Sequence, residues 1–199
     1  DVYFYEIARR VGIEAIAAMG RKLGLGRTYE AGLGTQKAGV MPTPSWKRGT
    51  LGRAWLGGET LLAGIGQGFV LTTPLQLAVM TARIATGLAV EPALARLASA
   101  PPPRFAALPV KRAHLAAVQR GMIAVVNEAG GTGANARIAS GLTVAGKTGT
   151  SQVGRVASEV RGRHLAWSQR DHALFVCYVP AERPKYAIAV VIEHGGSGG

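Results

Sequence analysis

A lysine followed by two hydroxyl residues that flank a glycine is the part of this sequence best suited to chemistry: Lys147, Thr148, Gly149 and Thr150. On a strand, alternation points Lys147 and Gly149 to one face, while Thr148 and Thr150 present hydroxyls nearby. The hydroxyls can hold a carboxylate beside the ammonium. Gly149 leaves room for a substrate backbone, and the Thr150 N–H can face a developing oxyanion. The segment is predicted to bind an anionic substrate beside an acyl-transfer centre, although the triplet alone also fits a surface turn.

Two glycine-rich segments resemble known motifs without meeting their requirements. Gly64, Gly66 and Gly68 precede a predicted helix, but they lack the spacing of a dinucleotide fingerprint and the Lys-Ser/Thr pair of a P-loop. Residues 195–199 formally fit Gly-x-Ser-x-Gly, but a nucleophile elbow needs a following helix. The first segment is interpreted as a tight connecting loop, and the second is not expected to carry a nucleophile.

The histidines and the single cysteine do not support a metal site or a cofactor. His114, His164, His172 and His194 are isolated and lack ligand spacing, so they are interpreted as structural or solvated. Cys177 lies inside an apolar run and is interpreted as a buried small hydrophobe. We therefore expect no metal and no cofactor.

The composition is that of a globular domain with a strongly basic balance. Among 199 residues, 48% are hydrophobic and the formal net charge is +12, which favours anionic partners. No apolar stretch is long enough to span a membrane.

A basic segment near Trp167 is interpreted as a solvated loop, with contact to an anionic glycan, a lipid headgroup, a partner or single-stranded nucleic acid as alternatives. Its cations are Arg155, Arg161, Arg163 and Arg170.

Helical signals dominate the chain before these residues. Two helices are predicted across residues 2–23, separated by Gly12. Thr73 as N-cap and Pro74 at the first helical position begin a helix that is predicted to reach about Ala85. The other segments are predicted as a long loop over 27–58, a short strand or turn over 91–99, a surface linker at 101–103 and a helix over 113–128.

Strand signals follow the helices and must position Lys147. A short strand is predicted over residues 142–153. The apolar runs 173–179 and 186–192 are predicted to form a hairpin in the centre of a sheet whose two faces are both covered. Helices first and an antiparallel sheet afterwards indicate the α+β class. We expect one partial domain over residues 1–199, helical to about residue 140 and a sheet from about 141 to 194.

Four ordered segments resemble the class B penicillin-binding proteins of the elongation-specific type 2. Residues 146–153 are similar to their extended Lys-Thr-Gly motif, which accompanies Ser-x-x-Lys and Ser-x-Asn in these enzymes. Residues 64–78 resemble the stretch between the middle motif and Lys-Thr-Gly, and residues 171–196 resemble the two strands after it. Residues 1–5 look like those that follow Ser-x in a Ser-x-Asp variant of the middle motif.

The resemblance implies the penicillin-binding protein and serine β-lactamase-like transpeptidase fold, incomplete at both ends, and a two-step acyl transfer through a serine acyl-enzyme. Lys147 is then expected to bind the substrate's terminal carboxylate and to tune protons near the serine. Thr148 and Thr150 are expected to contact that carboxylate, and Asp1 is expected across the cleft near the leaving group. The 199-residue sequence contains no Ser-x-x-Lys motif. The nucleophile and its base are therefore expected upstream, and a helix covering the sheet is expected after residue 199.

The resemblance also implies a cellular setting. Expected ligands and partners are peptidoglycan stem peptides, a lipid-linked precursor, β-lactam antibiotics, a membrane-embedded glycan polymerase and elongation-complex proteins, but not nucleic acid. The expected location is the periplasmic side of the bacterial inner membrane, with an anchor outside this chain. A non-catalytic β-lactam-sensing or scaffold relative stays open, as does a basic nucleic-acid-binding module. The transpeptidase hypothesis predicts covalent labelling by penicillin, whereas the nucleic-acid-binding hypothesis predicts binding that weakens steeply with salt.

Overall fold

The computed structural model describes residues 1–95, 101, 103–153 and 166–199. These residues form two compact units, Asp1–Met80 with Ala89–Ala106, and Thr81–Leu88 with Ala107–Gly199. All the α-helices in the described part precede the strands, which confirms the α+β class. No helix in these ranges combines the length and the hydropathy needed to cross a bilayer. The elements are α1 Val2–Val11, α2 Ile13–Lys22, α3 Pro44–Leu51, α4 Gly57–Gly64, α5 Pro74–Thr86, α6 Arg112–Asn127, β1 Ala145–Ser151, β2 His172–Val179 and β3 Tyr186–Ile192.

The predicted break between the first two helices is confirmed at Gly12. This residue has φ 80°, a conformation that glycine adopts without the cost that a Cβ imposes. Its N–H bonds to the carbonyl of Ala8 and ends α1. In the same unit, α1 packs on α4, where a Cβ at Gly64 would overlap the side chain of Ala8.

The prediction of one long loop over residues 27–58 is wrong, because the segment contains α3 and the start of α4. The Thr43 hydroxyl accepts a hydrogen bond from the Trp46 N–H at 3.1 Å and caps α3, and Gly52 ends the helix with φ 64°. The sequence contains these start and stop signals, but α3 is only eight residues long and shows little apolar periodicity. Tertiary contacts from outside the helix, described below, stabilise it.

The start of α5 at Thr73 and Pro74 is confirmed. The Thr73 hydroxyl accepts from the Gln76 N–H at 3.2 Å. The buried Gln76 side chain then donates to the carbonyl oxygens of Arg27 at 2.6 Å and Ala38 at 2.7 Å. This amide therefore ties the preceding segment of the same unit to α5.

In the second unit, α6 packs on a three-stranded antiparallel sheet with the order β1-β2-β3. Val126 of α6 forms a core with Val144 and Cys177, and the Asn127 side chain donates to the Val144 carbonyl at 2.8 Å. Cys177 is buried, as expected, and this burial raises the pKa of its thiol. The core therefore fixes β1 against α6.

The predicted position of the apolar hairpin is only half right. Strand β2 is central and largely buried, but in the described structure β3 lies at the sheet edge and most of its residues are exposed. Tyr186 is 66% exposed and Ile192 is 58% exposed. A continuous apolar run indicates a tendency to be buried, but it does not specify which other element provides the cover.

Three further predictions fall partly outside the described residues. Residues 91–95 of the predicted strand or turn over 91–99 are in no strand. The rest of that segment, the middle of the 101–103 linker, and Arg155, Arg161 and Arg163 lie outside the described ranges.

Candidate functional site

Strand β1 carries four of the five predicted site residues. Its register with β2 pairs Lys147 with Val176, Thr148 with Phe175, Gly149 with Leu174 and Thr150 with Ala173. Partners directly opposite in an antiparallel pair share a face, so Thr148 lies on the face of Phe175, and Lys147 lies on the other face. Lys147 and Thr150 are exposed at the edge of the sheet.

The Lys147 ammonium lies beside the Thr148 backbone and hydroxyl. Its Nζ donates to the Thr148 carbonyl oxygen at 2.8 Å and is 3.4 Å from Thr148 Oγ1. A cation and a hydroxyl group are therefore adjacent on the edge strand of the described sheet. This is the combination that can hold a carboxylate by charge-assisted hydrogen bonds.

A second hydroxyl, which the sequence reasoning missed, joins this pair. Thr132 Oγ1 lies 2.9 Å from Thr148 Oγ1. Thr132 belongs to the glycine-rich turn after α6, beyond the helix predicted over 113–128. A hydroxyl residue within such a turn is a weak signal, because it does not show which strand the turn approaches.

The C-terminal glycines lie directly on β1. The Gly196 N–H donates to the Asp171 carbonyl at 2.8 Å, and the chain then passes over β2 and β1. A Cβ at Gly198 would overlap the carbonyl oxygens of Gly149 and Leu174. A Cβ at Gly149 itself would make only an ordinary contact of 3.4 Å with the Leu174 side chain. The C-terminal backbone therefore lies close to the backbone of Gly149, while the space on the side-chain face of Gly149 meets only Leu174.

A cavity of about 240 Å³ lies beside the Thr148 hydroxyl. Ligand pockets for drug-sized molecules usually start at about 300 Å³, so this space fits a small group of a larger ligand. Its walls combine hydroxyl, amide, aromatic and glycine surfaces from Thr132, Gly133, Asn135, Ala136, Thr148, Phe175, Gly198 and Gly199.

Two histidines and a tryptophan cluster where β2 begins and β3 ends. His172 Nδ1 accepts from the His194 N–H at 2.9 Å, and His194 Nδ1 lies 2.9 Å from the Arg170 carbonyl oxygen. The Trp167 and His194 rings meet edge to face with centroids 4.5 Å apart. Both imidazoles thus make hydrogen bonds to the local backbone, as expected of structural histidines. Among the described residues, no three acidic, histidine or cysteine side chains form a possible metal site.

Asp1, the fifth predicted site residue, belongs to the first compact unit. It is exposed at the N-cap position of α1, where its carbonyl oxygen accepts from the Tyr5 N–H at 3.0 Å. Its side chain makes no capping hydrogen bond. The role expected for this carboxylate stays a prediction.

Comparison with known proteins gives whole-chain matches. A family model described as "Penicillin binding protein transpeptidase domain" matches residues 1–199. The chain is 36% identical to peptidoglycan D,D-transpeptidase MrdA of Acinetobacter baumannii, over 100% of this chain and 31% of that protein. It is 32% identical to MrdA of Haemophilus influenzae, over 100% of this chain and 32% of that protein. The chain thus spans about a third of the length of the curated relatives it matches.

Solved structures of penicillin-binding protein 2 share the fold of this chain. The PBP2 of Pseudomonas aeruginosa, in complex with WCK 5153, superposes with a TM-score of 0.83 at 38% identity, covering 99% of this chain and 43% of that one. The PBP2 of Helicobacter pylori, in complex with MreC, gives a TM-score of 0.84 at 35% identity, covering 98% of this chain and 35% of that one. The fold inferred from the four ordered sequence segments is confirmed.

Proposed function

This chain belongs to the penicillin-binding protein transpeptidase domain family and is of the penicillin-binding protein 2 type, and on that premise we propose that the protein carrying it is a peptidoglycan D,D-transpeptidase. The observation that carries the proposal is the placement of the exposed Lys147 ammonium beside the Thr148 hydroxyl on the edge strand β1. That arrangement suits recognition of the terminal carboxylate of a D-Ala-D-Ala stem peptide.

The proposed reaction has two acyl-transfer steps. A serine Oγ attacks the carbonyl carbon of the D-Ala-D-Ala peptide bond while its proton passes to a base. The C–N bond breaks, the leaving amine of D-alanine takes up a proton, and an ester acyl-enzyme remains. The amine of a second stem peptide then attacks the ester carbonyl, which forms the cross-link and returns the proton to the serine. No Ser-x-x-Lys occurs in these 199 residues, so we assign the serine and its base to another part of the full-length protein.

The residues of this chain then have distinct roles. Lys147 attracts the substrate carboxylate and raises the local positive potential, and Thr148 and Thr150 donate hydrogen bonds to that carboxylate. The Thr150 N–H contributes to stabilising the oxyanion. Asp1 acts near the leaving group. β-Lactams mimic the substrate and stay bound as acyl adducts.

The cellular context is part of the same proposal. Relatives of this chain include a PBP2 solved with MreC and a peptidoglycan synthase complex that coordinates polymerization and crosslinking. We propose that the protein acts on the periplasmic side of the bacterial inner membrane, in cell-wall elongation and rod-shape maintenance. Its partners there are a glycan polymerase and elongation-complex proteins, and its substrates are stem peptides supplied through a lipid-linked precursor.

The test is covalent labelling of the full-length protein by a fluorescent penicillin. We expect one label on one serine, and a labelling rate about 100-fold lower in Lys147→Ala, because a charge-assisted contact and the local potential are both lost. The matched control is Lys185→Ala, an exposed lysine before β3, which should label at the rate of the unmodified protein. A folded full-length protein that takes no label would refute the transpeptidase and favour a non-catalytic relative.

A further inference from the structure

The turn that carries Thr132 is held against the end of α6 by its glycines. The Gly131 N–H donates to the Glu128 carbonyl at 3.2 Å, and the Gly133 N–H donates to the Val125 carbonyl at 2.9 Å. A Cβ at Gly131 would overlap the Val125 carbonyl oxygen, and one at Gly133 would lie 3.2 Å from Val125 Cγ1. The turn can lie this close because Gly131 lacks a Cβ, and the two backbone hydrogen bonds hold the segment from which Thr132 projects.

That backbone holds the Thr132 hydroxyl against the hydroxyl of Thr148. The two oxygens are 2.9 Å apart, and either one can be the donor. Each hydroxyl has a single proton, and the nearby Lys147 ammonium can only donate. If Thr132 donates to Thr148, the Thr148 proton is left free to point toward an incoming carboxylate. If Thr148 donates instead, its proton is already used.

We propose that Thr132 is a positioning residue for carboxylate recognition: its hydroxyl donates to Thr148 Oγ1, fixes the Thr148 rotamer and leaves the Thr148 proton available to the substrate. The inference rests on the proposed function, since it needs Thr148 to meet a carboxylate. Thr132 itself acts through Thr148 and does not touch the reacting atoms.

The geometry around Thr148 supports this direction of donation. Lys147 Nζ lies 3.4 Å from Thr148 Oγ1 and donates to the Thr148 carbonyl oxygen, so a positive charge faces the lone pairs of the hydroxyl. The Thr132 hydroxyl then donates to the other lone pair of Thr148 Oγ1. With donors facing both lone pairs, the Thr148 O–H bond points away from Thr132 and Lys147. The cavity of about 240 Å³ beside these two hydroxyls has room for a small group.

The experiment compares Thr132→Val, which keeps the shape but removes the hydroxyl, with Thr132→Ser, which keeps the hydroxyl. Acylation of the full-length protein is followed with a carboxylate-bearing fluorescent penicillin and with its neutral methyl ester. For the acid, Thr132→Val should raise the concentration giving the half-maximal rate about 3- to 10-fold, the effect of one lost hydrogen bond, and leave the maximal rate nearly unchanged. Thr132→Ser should restore the value to within about 2-fold. The ester should react at equal rates with all variants.

The control and the opposing outcomes separate this inference from the function on which it rests. Thr50→Val makes the same change at an exposed threonine of α3 and should leave both ligands unaffected. Labelling of the unmodified protein with no effect of Thr132→Val would overturn the inference alone. Equal slowing of acid and ester would also overturn it, because that pattern indicates general distortion. If the unmodified protein takes no label, the proposed function fails, and this inference fails with it.

Discussion

Replacing Glu59 by glutamine would remove one charge from a buried ion pair that joins α3 to α4. The side chains of Lys47 and Glu59 are only 5% and 17% exposed. Lys47 Nζ also donates to the Ala54 carbonyl at 2.7 Å, and the Glu59 carboxylate accepts from the Leu56 N–H at 2.8 Å. Glutamine can still accept from Leu56, but it leaves the buried ammonium facing only neutral groups.

The expected loss of stability is large for a single atom exchange. Removing one partner of a buried ion pair costs about 3–5 kcal/mol. Glutamine keeps one hydrogen bond, and Glu59 retains some contact with solvent, so the lower end of about 3 kcal/mol is expected. In a cooperative unit of about 150–250 residues, 1 kcal/mol shifts the melting temperature by about 2–4 °C, so the transition of the unit that contains α3 and α4 should fall by about 6–12 °C.

The assay is thermal unfolding of the full-length protein, followed by circular dichroism and tryptophan fluorescence at neutral pH. Glu6→Gln is the matched control, because Glu6 forms exposed ion pairs with Arg9 and Arg10 on the surface of α1; its melting temperature should not change measurably. Lys47→Met with Glu59→Leu should recover most of the loss, because no unpaired charge stays buried. If Glu59→Gln lowered the melting temperature by less than about 2 °C, the assignment of a structural ion pair would be refuted.

The same pair predicts how stability changes with pH. Burial acts to raise the pKa of Glu59, but the Leu56 N–H and the Lys47 ammonium outweigh it and hold the pKa below the ordinary value of 4.5. Since the folded-state pKa is the lower one, the stabilisation is complete above that ordinary value and is lost as the pH falls through the folded-state pKa. The difference in melting temperature between the unmodified protein and Glu59→Gln should therefore disappear in strong acid. A difference that grows on acidification would contradict this linkage.

Two further stability predictions concern a glycine beside Lys147 and the buried amide of α5. Gly146→Ala should slow penicillin labelling and destabilise by about 1–3 kcal/mol, because the new Cβ would lie 2.5 Å from Phe175 Cζ; Gly121→Ala, which meets nothing within 4 Å in α6, should instead stabilise by about 0.5–1 kcal/mol. If the two substitutions changed the free energy of unfolding in the same direction, the packing argument would be refuted. Gln76→Leu should destabilise by about 1–3 kcal/mol, because the buried Gln76 side chain donates to the carbonyls of Arg27 and Ala38 and leucine can donate to neither; denaturant unfolding that shows no loss would refute it.

The candidate site was only partly predictable. Lys147 and Thr148 were identified because a short motif on a strand places neighbouring residues together through local geometry alone. Thr132 was missed although it lies 2.9 Å from Thr148, because the packing of α6 on β1 brings them together, and no sequence periodicity records that packing. Gly198 was missed as a neighbour of Gly149 because the path of the chain after β3 brings them together, and no local pattern records that path.

The sequence by itself determined the elements whose signals are local. The glycine break after α1, the Thr-Pro start of α5 and the strand containing Lys147 each depend on a few consecutive residues. Only the tertiary structure decided the rest. Helix α3 forms within a glycine-rich segment where Lys47 meets Glu59 across 12 positions, and β3 is apolar yet mostly exposed in the described chain. These outcomes depend on contacts between segments distant in the chain. Their free energies come from burial and pairing, which local propensity cannot specify.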